Sequence, residues 1–315
     1  MKRRLLGGTG MEISVVGFGA WAIGGGGWEW GYGPQDDADS SAAIKRAIEL
    51  GVNWIDTAPI YGLGRSEEVV GRVIRKMSEK PYIFSKCGLE GRNGVGVNEI
   101  KAATIERQCE ESLKRLGVEA IDLYQMHWPI PDEDIEEGWA ACVALLSAGK
   151  VRHIGVSNFD VAQLKRVNAL ATVETLQPPY SLITREIENE ILPYCVAERV
   201  GVIAYSPMAS GLLTGAFSAE RVEALPEDDF RSHVAHFREP ELSHNLAAAE
   251  RLRQVGERRD ASPGAVAVAW VLRDPVVNGA IVGFRRAEQL DGILPAAGEL
   301  KLSAEEIAFL ESDGA

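Results

Sequence analysis

Cysteine is scarce in this chain. The four residues, at 87, 109, 142 and 195, form no C-x-x-C pair. That excludes a disulfide scaffold and a cysteine-built zinc site, and it suits a reducing cytoplasm. Basic charge is also short: 33 Lys and Arg stand against 46 Asp and Glu, a formal charge of -13. An acidic surface repels phosphate backbones, so no nucleic-acid partner is expected. The longest apolar run, AVAVAWVL, falls far below the ~20 residues that span a bilayer. The start, MKRRLLGGTG, is basic, but no apolar stretch follows it, so it does not read as a signal peptide. No complete G-x-G-x-x-G occurs, which leaves a Rossmann dinucleotide site unsupported. Hydrophobic residues at 46% and charged residues at 25% exclude a disordered chain.

What remains is a regular alternation of apolar strands and helices. Residues 3–6 and 11–15 flank GGTG and read as a hairpin. Strands are expected at 15–19, 52–56, 82–86, 121–127, 151–157, 173–177, 201–206 and 280–284. Helices are expected at about 40–50, 66–77, 98–116, 135–148, 187–199 and 241–259. Asp160 with Gln163, and Ser303 with Glu306, read as capping boxes, and Ser262-Pro263 opens another helix. The strands are short, continuous and rich in Val and Ile, as in parallel sheets covered on both faces. Eight such units with no linker predict an α/β fold: a single (β/α)8 TIM barrel with an N-terminal hairpin and extra C-terminal helices. A doubly wound open sheet is the alternative. Residues 1–315 are read as one domain.

In such a barrel the chemistry sits at the C-terminal ends of the strands. There the sequence puts Asp56, with Tyr61 just beyond, then Lys86, His127-Trp128, Ser157-Asn158, Gln177 and Tyr205-Ser206. Singly each has a bland explanation: an Asp caps a loop, a Tyr packs, a His fills a core. Lys86 is odder, because a buried ammonium is costly unless paired. Their joint occurrence at consecutive strand ends is the signal. Such a set suits carbonyl reduction by hydride, in which the new alkoxide needs a proton. A neighbouring ammonium is expected to lower the pKa of Tyr61, a carboxylate to hold the ammonium, and an imidazole to polarise the carbonyl.

Long motifs carry a resemblance. GVNWIDTAPIYGLGRSEEVVG, SKCG, LYQMHWP, GKVRHIGVSNF, LQPPYSLI and GVIAYSPMASGLLTG together resemble the aldo-keto reductase superfamily over nearly the whole chain. QPPYSLITREIENEILPYC is most similar to the bacterial branch with general stress protein 69 and the potassium-channel β subunits. The resemblance implies a catalytic set of Asp56, Tyr61, Lys86 and His127, an extended NADP(H), a small-molecule carbonyl substrate, and no metal. It implies that Ser157, Asn158 and Gln177 hold the nicotinamide carboxamide and that Tyr205 stacks on the ring, with Asp56, Ala20 and Trp21 alongside. Ser206, Pro207, Met208, Ser210 and Leu212 would line the pyrophosphate path, and Gly283, Arg285 and Gln289 the adenosine end. Arg285 is assigned to the 2′-phosphate, with Arg286 as helper. Ile293 stands where related sequences commonly carry an adenine-binding Asn.

Trp21, Tyr61, His127 and Trp128 are the expected substrate contacts, with Trp28, Trp30, Tyr32 and either Phe230 or Phe237 as further walls. The glycine run at 24–27 reads as a mobile rim loop. Three rival readings have specific bases. Tyr82 and Lys86 form the Y-x-x-x-K of a short-chain dehydrogenase, but on a strand where that family needs a helix. Lys86 alone would suit a Schiff-base aldolase. A channel-β-like protein would instead be an NADP(H)-binding redox sensor with slow turnover.

Overall fold

The Val- and Ile-rich segments pair in parallel, as their two-sided apolar character requires. The structure is a computed structural model, and it describes residues 1–312. Strands β1 (Arg3–Leu5) and β2 (Glu12–Ser14) form the N-terminal hairpin. The barrel begins with β3 (Val16–Gly19), β4 (Trp54–Asp56) and β5 (Tyr82–Cys87). A second hairpin follows, β6 (Leu89–Arg92) and β7 (Val95–Asn98). The barrel then continues through β8 (Leu123–Met126), β9 (Ile154–Ser157), β10 (Thr175–Gln177), β11 (Gly201–Tyr205) and β12 (Val277–Gly283). It closes where β12 pairs with β3, Gly283 opposite Gly19. The open sheet is thereby excluded.

The barrel interior has an apolar floor. Trp54, Phe84, Leu123, Ile203 and Ile281 meet there, and Leu6, Met11 and Ile13 of the first hairpin segment pack beneath them. Side chains alternate along a strand, so two residues further on from Trp54 and Phe84 the inward positions are Asp56 and Lys86. The floor thus sets the site above it.

Trp54 fits only because Gly17 faces it. A Cβ at Gly17 would lie 2.3 Å from the indole carbons. Gly17→Ala is expected to cost about 1–3 kcal/mol by overpacking. Thermal unfolding followed by circular dichroism checks this, and an unchanged midpoint would contradict the packing.

Helix signals at three sites hold: Asp160 and Ser303 make capping boxes with Gln163 and Glu306, and Ser262 caps a helix with Pro263 in its first turn. Other boundaries differ for identifiable reasons. The helix expected from 98 runs from Ala102 to Leu116, because residues 89–98 form the second hairpin. Its turn is Asn93-Gly94, both left-handed (φ 54° and 82°), as a two-residue hairpin turn requires. The last barrel strand starts at Val277, not 280. Gly279 sits within the strand, where its missing Cβ leaves room for Trp54. The segment 214–240 carries the short helix Ala219–Glu223 and two 3-10 turns.

Candidate active site

Asp56 closes β4, Lys86 lies near the end of β5, His127 follows β8, and Ser157, Gln177 and Tyr205 end β9, β10 and β11. Tyr61 comes from the loop after β4. That loop folds back so that Ala58, Ile60 and Tyr61 pack with Trp28. Gly62 makes the return possible: its φ is +62°, and a Cβ there would strike the Gly24 carbonyl oxygen.

The strand-end groups form one network. Lys86 Nζ donates to Asp56 Oδ2 at 2.6 Å, to the Thr57 carbonyl at 3.1 Å and to the Tyr61 hydroxyl at 3.1 Å. Asp56 Oδ1 accepts from Gln177 Nε2 at 2.8 Å. Asn158, left-handed at φ 64°, donates to the His127 carbonyl at 2.9 Å and accepts from the Tyr205 hydroxyl at 2.9 Å. Ser157 Oγ donates to the Gln177 carbonyl at 2.7 Å. The Tyr61 and His127 rings stand edge to face, centroids 5.8 Å apart.

Burial, then the Asp56 carboxylate, pushes the Tyr61 phenol well above its ordinary range. The net shift is therefore upward, against the expected lowering, although Lys86 still donates to the phenol oxygen. The dry barrel outweighs one ammonium, and that ammonium is already neutralised by Asp56. Burial pulls Lys86 down while Asp56 opposes it. Burial, with Lys86 second, holds His127 well below the usual imidazole range, so its ring is neutral near pH 7. The site presents a protonated phenol beside a neutral imidazole.

Above these groups opens a cavity of about 950 Å³. Asp56, Tyr61, His127, Ser157, Asn158 and Gln177 line it, as do Trp21, Trp28, Trp30, Tyr32 and Trp128. Along its length run Tyr205, Ser206, Pro207, Met208 and Ser210, then Gly283, Arg285, Gln289 and Ile293. Three expected contacts are missing from the wall: Ala20 and Leu212 are wholly buried in the core, and Lys86 acts from behind Asp56 and Tyr61. Phe230 and Phe237 are buried off the wall, and Phe217 and Arg231 line it instead.

The rim loop is fastened rather than free. Trp28 Nε1 donates to the Gly25 carbonyl at 3.0 Å, and the Phe230 amide donates to the Gly31 carbonyl at 3.1 Å. Tyr32 bridges Asp229, and the Arg231 guanidinium lies 5.0 Å above the Tyr32 ring. Arg285 donates to the Tyr32 carbonyl at 3.1 Å, to Gln35 Oε1 at 2.7 Å and to the Pro34 carbonyl. These contacts strap the loop across the cavity.

The Aldo/keto reductase family profile matches residues 15–313. The chain belongs to this family. It is 38% identical to aldo-keto reductase YhdN of Bacillus subtilis over 293 residues, covering 92% of this chain and 87% of that protein. It is 32% identical to probable aldo-keto reductase 1 of Glycine max over 305 residues, 96% of this chain and 86% of the other. Among solved structures, glycerol dehydrogenase AKR11B4 from Gluconobacter oxydans superposes with a TM-score of 0.87 at 36% identity, covering 98% and 94% of the two chains. Aldo-keto reductase AKR11C1 from Bacillus halodurans, holo form, gives 0.81 at 24% identity over 99% and 95%, a likeness of fold.

As an aldo/keto reductase, the protein is an oxidoreductase of carbonyl substrates with a nicotinamide cofactor. No helix among the described residues is long and apolar enough to cross a membrane. Tyr82 and Lys86 lie on one strand, β5, so the helix that a short-chain dehydrogenase needs is not there.

Proposed function

We propose that this aldo/keto reductase uses NADPH to reduce aldehydes and ketones, aldoses among them, with Tyr61 as general acid. One observation carries the reading. The three N–H bonds of Lys86 are all taken, by Asp56 Oδ2, the Thr57 carbonyl and the Tyr61 hydroxyl. With its donors engaged by a carboxylate, a carbonyl and a hydroxyl, Lys86 is suited to an ammonium rather than to a nucleophilic amine, which weighs against the aldolase reading. It is instead placed to stabilise the phenolate that Tyr61 becomes.

The residues present fit a nicotinamide cofactor. The chain takes left-handed conformations at Ser206, Ala209, Ser210 and Gly211, a geometry in which successive N–H groups form a concavity for an anion. Gln177, Ser157 and Asn158 would hold the carboxamide. Asn158 is largely committed to His127 and Tyr205, so its main part is to fix their positions. When bound, the cofactor supplies a hydride to the carbonyl carbon. Tyr61 hands its proton to the carbonyl oxygen, and Lys86 holds the resulting phenolate. The neutral His127 donates to the same oxygen and orients it. Trp21, Trp28 and Trp128 exclude water around it. A reducing cytoplasm and a single domain over residues 1–315 accompany this reading; the four cysteines are all free and buried.

The rim strap gives the slow-turnover sensor reading its one physical basis, since cofactor exchange would require the strap to open. Measurable steady-state turnover on an aldehyde panel separates the two.

For cofactor choice the two arginines divide the work. Arg285 commits three donors to the rim loop and keeps two for a phosphate. Arg286 is 72% exposed and its nearest carboxylate, Asp39, is 3.9 Å away. Arg285 lines the cavity and Arg286 does not, so Arg285 is the expected partner for the 2′-phosphate, with Arg286 as helper. Arg285→Ala is expected to weaken NADPH by about 10- to 150-fold, one charge-assisted hydrogen bond, and NADH by less, through the rim loop it anchors. Titration by tryptophan fluorescence tests this; equal wild-type affinities for NADPH and NADH would end the NADP assignment.

A further inference from the structure

Gln125 is wholly buried inside the barrel, and the mechanism above gives it no part. It stands on β8 level with Lys86 of β5, two residues beyond the inward-facing Leu123, so alternation turns it inward as well. Its amide reaches across one strand to Gln177 of β10. The strand between them, β9, carries Gly155 at the level of Gln125, so no side chain obstructs the path at that level. Gln125 Oε1 accepts from Gln177 Nε2 at 3.4 Å, and Asp56 Oδ1 accepts from the same nitrogen at 2.8 Å.

The NH2 of Gln177 therefore has two acceptors, one for each hydrogen. Its carbonyl oxygen is the end left to the cavity that Gln177 lines. The polarity of this chain is set from one side. The Asp56 carboxylate, paired with Lys86 at 2.6 Å, can only accept, so the Gln177 NH2 faces it. The Gln125 amide in turn must offer its oxygen, because turning it over would set donor against donor. Its own NH2 is left buried without a partner. A methionine or leucine would fill the barrel without that cost, so the amide contributes at this position through its oxygen.

We propose that Gln125 is a positioning residue of the cofactor site: with Asp56 it holds the Gln177 amide in the orientation whose carbonyl accepts from the NH2 of the nicotinamide carboxamide. This rests on the nicotinamide-cofactor reading above. Without Gln125, one Gln177 N–H loses its acceptor inside the dry barrel, and the amide is free to turn out of line with the carboxamide. A ligand that presents no N–H at that point is indifferent to the change.

NADP+ and its 3-acetylpyridine analogue differ there by a methyl group in place of NH2, and they form the test pair. Dissociation constants for both are measured by tryptophan fluorescence in the wild type, in Gln125→Met and in Gln125→Leu. The wild type is expected to bind NADP+ about 10-fold more tightly than the analogue, the worth of one hydrogen bond. In both variants NADP+ should weaken by about 3- to 10-fold, while the analogue hardly changes. Methionine conserves the volume of glutamine, so it keeps the test valid if the Leu variant folds poorly. A preference for NADP+ that shrinks by less than about 3-fold, whether both ligands weaken together or neither does, overturns the inference, since lost packing alone would act on both alike. The same pair without the 2′-phosphate serves if the wild type takes that form instead. If the wild type binds none of these ligands, the nicotinamide reading itself fails and takes this inference with it.

Discussion

Tyr61→Phe is expected to lower kcat for carbonyl reduction by about 10²- to 10⁴-fold, the range typical of a lost general acid. The phenol is the group beside His127 that carries a transferable proton, and Lys86 donates to its oxygen at 3.1 Å. Cofactor affinity should hardly change, because in the proposed mechanism the hydroxyl serves the substrate oxygen. The raised pKa sets the pH dependence. Reduction needs the protonated phenol, so its rate should stay level through neutral pH and fall only above the raised pKa. Alcohol oxidation needs the phenolate, so it should rise with pH over the same interval. Steady-state rates in both directions for the wild type and the Phe variant check this. A Phe variant with wild-type kcat would remove Tyr61 from the mechanism.

Lys86→Met should lower kcat by at least about 10²-fold, as for loss of a preorganised donor to developing charge. The phenolate formed at Tyr61 would have no cation beside it. Stability should also suffer, because the Asp56 carboxylate would be left buried without its partner. Breaking such a pair from one side costs about 3–5 kcal/mol. The double variant Asp56→Asn, Lys86→Met removes both charges and should recover much of the stability but none of the activity. That split between melting temperature and kcat distinguishes chemistry from folding. Borohydride treatment with a carbonyl substrate should leave no adduct at Lys86, and a trapped adduct would reinstate the aldolase reading.

The proposed catalytic set is legible in the sequence because barrel strands end where chemistry begins. Asp56, Lys86, His127 and Gln177 each terminate or directly follow a short apolar run, and alternation points the first two inward above Trp54 and Phe84. Asn98 on the cavity wall is hidden in the sequence, because the run 98–116 looks helical and only the Asn93-Gly94 turn marks the hairpin before it. Phe217 and Arg231 lie in the polar stretch 214–240, whose composition looks solvated; contacts of Asp229, Phe230 and Arg231 with Gly31 and Tyr32 bring that stretch over the cavity. Two of the three partners of the Arg285 side chain are main-chain carbonyl oxygens some 250 positions away in sequence. Main-chain acceptors leave no trace in side-chain identity. The rise in the Tyr61 pKa depends on burial, which strand pattern alone does not quantify.

Isotope transfer distinguishes hydride delivery within this barrel from any route through solvent. The protein is incubated with an aldehyde and nicotinamide cofactor deuterated at C4 on one face, then on the other, and the alcohol is examined by mass spectrometry. One deuterium is expected on the carbinol carbon from one face only, with one cofactor oxidised per alcohol formed. Alcohol without deuterium from either face, or aldehyde consumed while the reduced cofactor persists, would contradict hydride delivery.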